Sequence, residues 1–458
     1  KAMSGVTSLE EVYKVAGKMD YVDALYDIVV SKTIGRGITV TSDHLVEADV
    51  IAHDFINSSD RISKYKTSDM LSLLVATAVK TDASDIHIDP IEHGVRLRLR
   101  IDGILHDIAS LGAEYYVPLI GSIKDLAGFS IQSKQATYDG RFSIFMPDSR
   151  LDCRVSIITG GYGETAVLRI LSKQAKNLDL EDLGIKYSTL DSIKNSVTKT
   201  KGIIINTGPT GSGKTTTLYA ILNKLNRPDI KIITIEDPIE YNLEGVMQTQ
   251  IDEKVGYTFE AAIRSLMRQN PNIIMVGEVR DAATARVAIE AALTGHLVLS
   301  TVHANSAASA IARFYELGVE RQLLASSIEC SIGQRLVRKI CQDCKEELIL
   351  DEKTLEEVKG VLSKLNPASG VAVPTEYKFY HGKGCPSCGG IGYKGRIGLY
   401  EAIVVNPEIK KLIIDPTSID NDIETAAVEQ GFITVMQDGL LKALEGNTTV
   451  EEVFRVAK

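Results

Sequence analysis

The sequence predicts an α/β protein in which a domain with a mostly parallel sheet follows a smaller α+β domain. Apolar runs rich in Ile and Val alternate with amphipathic helical patterns between residues 203 and 316. This alternation is typical of a parallel sheet with crossover helices. The predicted strands are 203–207, 230–235, 273–276 and 297–301, and the predicted helices are 214–225, 258–268, 281–293 and 306–316.

The smaller α+β domain is predicted over residues 66–172, and the larger domain over 180–458. A helix at 70–80 precedes several short strand patterns, and the first two strands are joined by a turn at Asp102-Gly103. These strands are predicted at 95–101, 104–108, 142–146, 151–157 and 166–170. Residues 1–60 are predicted to form a short docking region with helices at 9–15 and 21–30 and a linker at 57–60. Helices are expected from 316 to about 340, and again after the cysteine segment at 341–390.

Composition narrows the class of protein. The chain has 458 residues, 44% of them apolar, and a net charge of −9, which disfavours a general nucleic-acid binder. No apolar run approaches the 18 or more residues that span a bilayer, and no secretory signal opens the chain. Six cysteines in a chain of this length are not a secreted disulfide framework. We therefore expect a cytosolic protein whose membrane contact is peripheral.

A glycine-rich loop follows the first strand of the larger domain and fits the phosphate-binding pattern G-x-x-x-x-G-K-[ST]. Its glycines keep side chains away, so that backbone N–H groups can converge on phosphate oxygens. Lys214 can reach the β- and γ-phosphates, Thr215 can offer its hydroxyl to Mg²⁺, and Thr216 continues the helix that points its positive end at the anion. The alternative is a glycine-rich turn with no ligand. The predicted ATP site comprises Gly208, Pro209, Thr210, Gly211, Ser212, Gly213, Lys214, Thr215 and Thr216.

Acidic side chains follow two of the later strands. Glu236, Asp237 and Glu240 lie at the end of one predicted strand, and Glu278 lies after the next. Ligands of open α/β sheets bind outside the carboxyl ends of strands, where a carboxylate can hold Mg²⁺ through water or orient attacking water. These acids could instead cap the following helices.

Two histidines lie at the two ends of another apolar strand. His296 is at its start and His303 just past its end. His303 is therefore the better candidate for contacting nucleotide or sensing the γ-phosphate, although a strand-end histidine is often structural.

Four of the cysteines form two C-x-x-C pairs, Cys341/Cys344 and Cys385/Cys388. Two such turns can place four thiolates around one structural Zn²⁺, here in an inserted lobe. A redox dithiol is the alternative, but no thioredoxin-like pattern accompanies the pairs. Cys153 and Cys330 are predicted to be ordinary buried cysteines.

The motifs together resemble the secretion ATPase superfamily, the hexameric motors of type II secretion and type IV pilus machines. The resemblance rests on the phosphate loop, Thr-Ile-Glu-Asp-Pro-Ile-Glu-Tyr, Val-Gly-Glu-Val-Arg-Asp and Thr-Gly-His…Thr-Val-His-Ala-Asn, and runs from about Ser68 to the C-terminus. It implies a RecA-like P-loop NTPase domain behind a PAS-like α+β domain. It also implies that Glu240 is the catalytic glutamate, Glu278 the Walker B glutamate and His303 the sensor. The sequence His303-Ala304-Asn305-Ser306 departs mildly from the family's His-Thr-Asn-Asp.

The same resemblance implies a mechanism and partners. Arg141 and Arg154 match arginine-bearing strands that reach a neighbouring subunit's nucleotide, so both are candidate catalytic residues. Four cysteines at this position are typical of pilus-assembly and type II secretion members. We therefore expect a homo-hexamer that uses ATP, Mg²⁺ and Zn²⁺ at the cytoplasmic face of the inner membrane. It would work through a platform protein and a cytosolic docking protein, without nucleic acid. A pilus-retraction ATPase, a conjugation-type nucleic-acid translocase and a non-hydrolysing nucleotide switch are the alternatives.

Overall fold

The computed structural model describes residues 36–53, 55, 58–129, 136–171 and 178–458. The predicted helices at 9–15 and 21–30 lie outside these residues. The chain divides into two compact units, residues 1–173 and 174–458. Each unit is described by itself.

The first unit is built on one mixed sheet, whose strand order is β1-β5-β6-β7-β2-β3-β4 within the described residues. All pairs are antiparallel except β1 with β5. The strands are β1 Gly37–Thr39, β2 Asp85–Ile91, β3 Gly94–Ile101, β4 Ile104–Gly112, β5 Thr137–Phe145, β6 Arg150–Gly160 and β7 Gly163–Leu171. The helices are α1 Ser42–His53, α2 Ser58–Ile62, α3 Thr67–Lys80 and α4 Ala113–Ala127.

The predicted linker at 57–60 is wrong where the structure describes it. Ser58 and Ile62 of the short helix α2 are both fully buried, and the Ser58 hydroxyl donates to the Ile108 carbonyl of β4. Buried Ile51 of α1 belongs to the same apolar core as the sheet. The polar sequence Asn-Ser-Ser-Asp at 57–60 is typical of a loop, but serine is also a preferred residue at the start of a helix. The Asp102-Gly103 turn is confirmed, with both residues at positive φ.

The second unit contains a sheet of order β10-β9-β11-β12-β8-β13-β16 among the described residues. Strands β8 to β12 pair in parallel, so their carboxyl ends share one edge. The strands are β8 Gly202–Thr207, β9 Ile232–Glu236, β10 Met247–Gln250, β11 Ile273–Val276, β12 Leu297–Val302, β13 Ile328–Ile340 and β16 Tyr393–Val404. The accompanying helices are α5 Tyr187–Val197, α6 Lys214–Leu225, α7 Phe259–Leu266, α8 Ala282–Leu293, α9 Ala307–Glu316 and α10 Arg321–Ser327.

The predicted helices up to residue 340 are only partly correct. The short helix α10 ends at Ser327, and β13 then runs parallel to β8 and antiparallel to β16. Apolar residues recur every four positions here, at Ile328, Ile332, Leu336 and Ile340. A spacing of four fits one face of a helix. In the strand, pairing irregularities after Ile328 and before Ile340 break this regularity, and Ile328 and Ile332 lie in different core clusters. The sequence did not predict β16, and antiparallel pairing with β16 is what makes residues 328–340 a strand.

The cysteine segment and the C-terminus complete this unit. A two-stranded antiparallel sheet, β14 Lys345–Leu348 with β15 Phe379–Gly382, flanks α11 Glu352–Leu362 in sequence. The C-terminal helices are α12 Pro407–Ile414, α13 Asp420–Glu429, α14 Val435–Leu444 and α15 Val450–Ala457. Among the helices of the described ranges, none combines the length and hydropathy that crossing a bilayer requires.

Candidate nucleotide and metal sites

The phosphate loop connects the fully buried strand β8 to helix α6, as the sequence predicts. Gly208, Gly211 and Gly213 all have positive φ, which an L side chain rarely adopts. A Cβ at Gly208 would lie 2.4 Å from the Gln334 carbonyl oxygen, so a larger residue does not fit there. The hydroxyl of Ser212 is buried and has no hydrogen-bond partner in the described part of the chain. A loop with an unused buried donor fits an oxygen-rich ligand.

Lys214 folds back over its own loop. Its ammonium group donates to the carbonyls of Gly208, at 2.8 Å, and Pro209, at 3.0 Å. Burial lowers the pKa of Lys214, whereas the negative charge of Glu278 acts to raise it. The lysine charge therefore lies within electrostatic reach of the predicted Walker B carboxylate, at the edge where a phosphate would replace the two carbonyls.

Glu278 lies two residues beyond the end of β11 and is mostly buried, with 15% of its side chain exposed. One carboxylate oxygen pairs with Arg280, and the other lies 3.6 Å from Nε2 of His303. The backbone around it is fixed to both neighbouring strands, because Gly277 N–H donates to Ile235 and Val279 N–H to Thr301. The ion pair with Glu278 raises the pKa of Arg280. A rigidly held carboxylate at this edge can bind Mg²⁺ or a water molecule on it.

The other predicted carboxylates occupy two different environments. Glu236 is buried and accepts hydrogen bonds from Tyr219, Thr234 and Gln248, so the structure turns it into the interior of the unit. Asp237 and Glu240 are exposed in the segment that follows β9. Their roles at the nucleotide stay predictions.

The two histidines lie at opposite edges of the sheet. His303 directly follows β12, and the adjacent backbone is fastened to the phosphate-loop strand by Thr207, whose hydroxyl donates to the Val302 carbonyl at 2.9 Å. His296 precedes β12, and its carbonyl accepts from Gly202 N–H at the start of β8. The structure brings His303, but not His296, to the edge that carries Lys214. A nucleotide contact of His296 stays a prediction.

Arg141 and Arg154 are direct cross-strand neighbours on β5 and β6 of the first unit. Both are exposed, and neither has an ion-pair partner among the residues described. Two adjacent cations on one sheet face repel each other unless an anion lies over them. Their predicted role in catalysis remains a prediction.

The four cysteines of the two C-x-x-C pairs converge as the sequence predicts. Their sulfurs all lie within 4.8 Å of one another. Three Sγ–Sγ distances are 3.7, 3.8 and 3.9 Å. Sulfurs around a tetrahedral Zn²⁺ with bonds of about 2.3 Å are separated by about 3.8 Å, whereas a disulfide needs about 2.05 Å. The spacing therefore fits four ligands of a tetrahedral metal and excludes a disulfide between these sulfurs.

Backbone groups favour the thiolate form of one member of this cluster, Cys388, whereas burial raises the pKa values of Cys341 and Cys344. The N–H groups of Cys385 and Gly392 each donate to the Cys388 sulfur at 3.2 Å. Burial acts to raise the pKa of Cys388, but these two donors and the neighbouring thiols bring it down to about 7. Thiolates are the form that binds zinc. Cys153 and Cys330 are buried and do not belong to the cluster, and burial raises the pKa of each.

Sequence reasoning missed several residues around the phosphate loop. Asn206, Thr207 and Gln334 hydrogen-bond across the strands that carry it. Arg280 lies in the Val-Gly-Glu-Val-Arg-Asp motif without a predicted role, and it forms an ion pair with Glu278. The polar pair Asn206-Thr207 at the end of an otherwise apolar strand is a sequence signal for the first two residues. The helical prediction for residues 316–340 gives Gln334 no place beside the loop.

Comparison with known proteins identifies the family. Residues 63–455 match the family model described as "Type II/IV secretion system protein". Type II secretion system protein E of Pectobacterium carotovorum subsp. carotovorum is 40% identical over 390 residues, which is 85% of this chain and 75% of that protein. Type IV pilus assembly ATPase PilB of Thermus thermophilus is 41% identical over 381 residues, 83% of this chain and 42% of PilB.

Solved structures agree on the fold. The Legionella pneumophila ATPase DotB aligns with a TM-score of 0.62 at 22% identity, covering 86% of this chain and 96% of DotB. The pilus retraction motor PilT with bound ADP aligns with a TM-score of 0.54 at 25% identity, covering 84% of this chain and 95% of PilT. The resemblance drawn from the motifs is confirmed: the chain belongs to the Type II/IV secretion system protein family and is an ATPase of that family.

Proposed function

We propose that this chain hydrolyses ATP to drive the assembly of a type IV pilus or of a type II secretion pseudopilus. One observation carries the proposal: Glu278 and His303 lie 3.6 Å apart at the carboxyl edge of the parallel sheet whose strand β8 leads into the Lys214 loop. The chain that contains these residues is about 40% identical to type II secretion system protein E and to PilB. ATP and Mg²⁺ are the substrate and cofactor that the family's activity requires.

The residues take complementary roles in this proposal. The loop N–H groups and Lys214 bind the β- and γ-phosphates, and the Thr215 hydroxyl binds Mg²⁺. Glu278 lies where it can hold a Mg²⁺-bound water, since Arg280 and the adjacent strands fix its carboxylate. Glu240 orients the attacking water, and His303 responds to the γ-phosphate through its contact with Glu278.

The active assembly is proposed to be a homo-hexamer in which Arg141 and Arg154 act on a neighbouring subunit's nucleotide. Their exposure and unpaired charge support this role. A triphosphate approaching transfer needs cations beyond Lys and Mg²⁺, and arginine supplies a permanent charge. The domain division at 66–172 and 180–458, and docking by residues 1–60, belong to the same proposal.

Assembly is favoured over retraction by two observations. The secretion and assembly proteins named above are 40% and 41% identical to this chain, whereas the retraction motor is 25% identical. The tetracysteine cluster, with sulfur spacing suited to zinc, is a feature that the motif resemblance links to pilus-assembly and type II secretion members. The motor would act at the cytoplasmic face of the inner membrane, through a platform protein and a cytosolic docking protein.

Mixing of inactive subunits tests the proposed ring. Lys214→Ala and Arg154→Ala proteins are each purified, then mixed under conditions that allow subunits to exchange, and phosphate release is measured. If the arginine acts between subunits, a mixed ring contains some sites with both residues intact, so activity returns. Failure of the mixture to recover activity, with exchange verified by differently labelled subunits, would contradict action between subunits.

Stimulation of phosphate release tests the proposed partner. Membrane vesicles with and without the cognate platform protein are compared, with double-stranded DNA as the control. We expect stimulation by the platform protein and none by DNA. Stimulation by DNA alone would favour the translocase instead.

A further inference from the structure

One residue of β13, Gln334, lies against both ends of the phosphate loop. A Cβ added at Gly208 would meet the Gln334 carbonyl oxygen at 2.4 Å, and one added at Gly213 would meet its Nε2 at 3.0 Å. Gln334 is fully buried, with 1% of its surface exposed. A long polar side chain is rarely buried this completely unless hydrogen bonds satisfy it.

The side-chain oxygen of Gln334 joins the two elements that flank the loop. It accepts from Nδ2 of Asn206 in β8 at 2.9 Å and from the hydroxyl of Thr217 in α6 at 2.9 Å. Asn206 precedes the loop and Thr217 follows it, so one amide oxygen spans the base of the loop. Both partners are themselves fully buried.

Tyr400 of β16 fixes the direction of this amide. Nε2 of Gln334 donates to the Tyr400 hydroxyl at 3.1 Å, and that hydroxyl lies 3.1 Å from the Thr217 hydroxyl. Since Thr217 donates to Gln334, Tyr400 donates to Thr217, and the three groups form a closed ring of hydrogen bonds. The backbone N–H of Tyr400 in turn donates to Asp438 of α14 at 2.8 Å.

We propose that Gln334 is a positioning residue that holds the phosphate loop in its anion-binding shape. The loop N–H groups converge on phosphate only while strand β8 and helix α6 keep their separation, and Gln334 bridges them directly. Loss of the amide would remove the acceptor that the buried Asn206 amide and Thr217 hydroxyl share, so both flanking elements would shift. The inference rests on the proposed use of ATP at this loop.

The test compares Gln334→Met with a matched core variant, Val337→Ala. Methionine keeps the volume and removes the hydrogen bonds. Val337 is equally buried on the same strand, but it packs in an apolar cluster with Leu440 and Val453. For each protein, the Kd for a fluorescent ADP, the KM and kcat for ATP, and the melting temperature are measured.

We expect the Gln334→Met protein to bind ADP about tenfold more weakly and to raise KM similarly, with kcat changed by less than about threefold. Val337→Ala lowers the melting temperature but leaves KM unchanged. An unchanged KM in Gln334→Met, or an equal KM rise in both variants, overturns the inference.

If Gln334→Met fails to fold, the Tyr400→Phe variant tests the same hydrogen-bond ring. It removes one hydroxyl from the ring, and we expect KM to rise about threefold. An unchanged KM there overturns the inference as well. Wild-type protein that binds no ADP would instead contradict the proposed function, and the inference with it.

Discussion

The carboxylate of Glu278 lies 3.6 Å from Nε2 of His303, although the two residues follow different strands of the sheet. Parallel pairing of β11 with β12 puts both strand ends at one edge, next to Lys214. This arrangement places a fixed acid, an imidazole ring and the phosphate loop that carries Lys214 at one edge of the sheet. Phosphoryl transfer to water uses cations and fixed acids in this way.

Replacement of Glu278 by glutamine separates binding from hydrolysis. The amide keeps the size of the side chain but removes the charge that we propose to hold Mg²⁺ or its water. We expect kcat to fall about 100-fold or more, with ADP affinity changed by less than about fivefold. Steady-state phosphate release and ADP titration measure the two quantities. Glu316→Gln, in an exposed pair with Arg313, is the control and should stay within about twofold of wild type.

The unused hydroxyl of Ser212 predicts a ligand-dependent effect. Since Ser212 Oγ is buried without a partner within the described ranges, Ser212→Ala should not lower the melting temperature of the nucleotide-free protein. It should weaken ADP binding about fivefold, because a hydrogen bond to the ligand is lost. Thermal-shift assays with and without ADP measure both effects. A variant that loses stability without ADP and keeps full affinity would show that the hydroxyl serves the fold alone.

The tetracysteine cluster predicts about one Zn²⁺ per chain by metal analysis. Cys388→Ser should lose the metal and lower the melting temperature by about 5–10 °C, because metal binding adds to folding free energy. Cys330→Ala, a buried cysteine outside the cluster, should keep its zinc. Wild-type protein with well under one Zn²⁺ per chain would contradict the assignment.

A buried ion cluster predicts how stability depends on pH. Glu452 of α15 is buried, but it pairs with Arg455 and with Arg338 of β13, and the pKa of its carboxyl is lowered from 4.5 to about 2. A carboxyl with a lowered folded-state pKa stabilises the fold above its unfolded value and loses that contribution as pH falls. The stabilisation is therefore complete above about pH 5 and fades between about pH 4.5 and 2.

Glu452→Gln measures this contribution. Allowing for solvent screening of the half-exposed Arg455, we expect a loss of about 2 kcal/mol at pH 7. The difference in melting temperature between wild type and variant should shrink from pH 7 to pH 4. A difference that grows as the pH falls would contradict the assignment.

The sequence predicted the parts of the fold that local pattern determines. The helix at 214–225 and the strand at 273–276 have the predicted bounds, because glycines and polar residues mark their ends. The fourfold apolar spacing along β13 predicts a helix, and only pairing with β8 and β16 makes this segment a strand.

The candidate site also contains residues that local pattern predicts and residues that it does not. Lys214, Glu278 and the four cysteines follow from motif spacing. In contrast, the inward turn of Glu236 and the role of Gln334 depend on contacts between residues distant in sequence, Glu236 with Gln248 and Gln334 with Asn206. No local pattern encodes such contacts.

Mg²⁺-dependent phosphate release by purified wild-type and Lys214→Ala proteins tests the central claim most directly. We propose that the loop binds a triphosphate through Lys214, so wild type should hydrolyse ATP and the variant should lose activity by about 100-fold or more. Both proteins should melt at similar temperatures, since Lys214 donates only to the loop's own carbonyls in the described structure. A folded Lys214→Ala protein that keeps full ATPase activity would contradict the account.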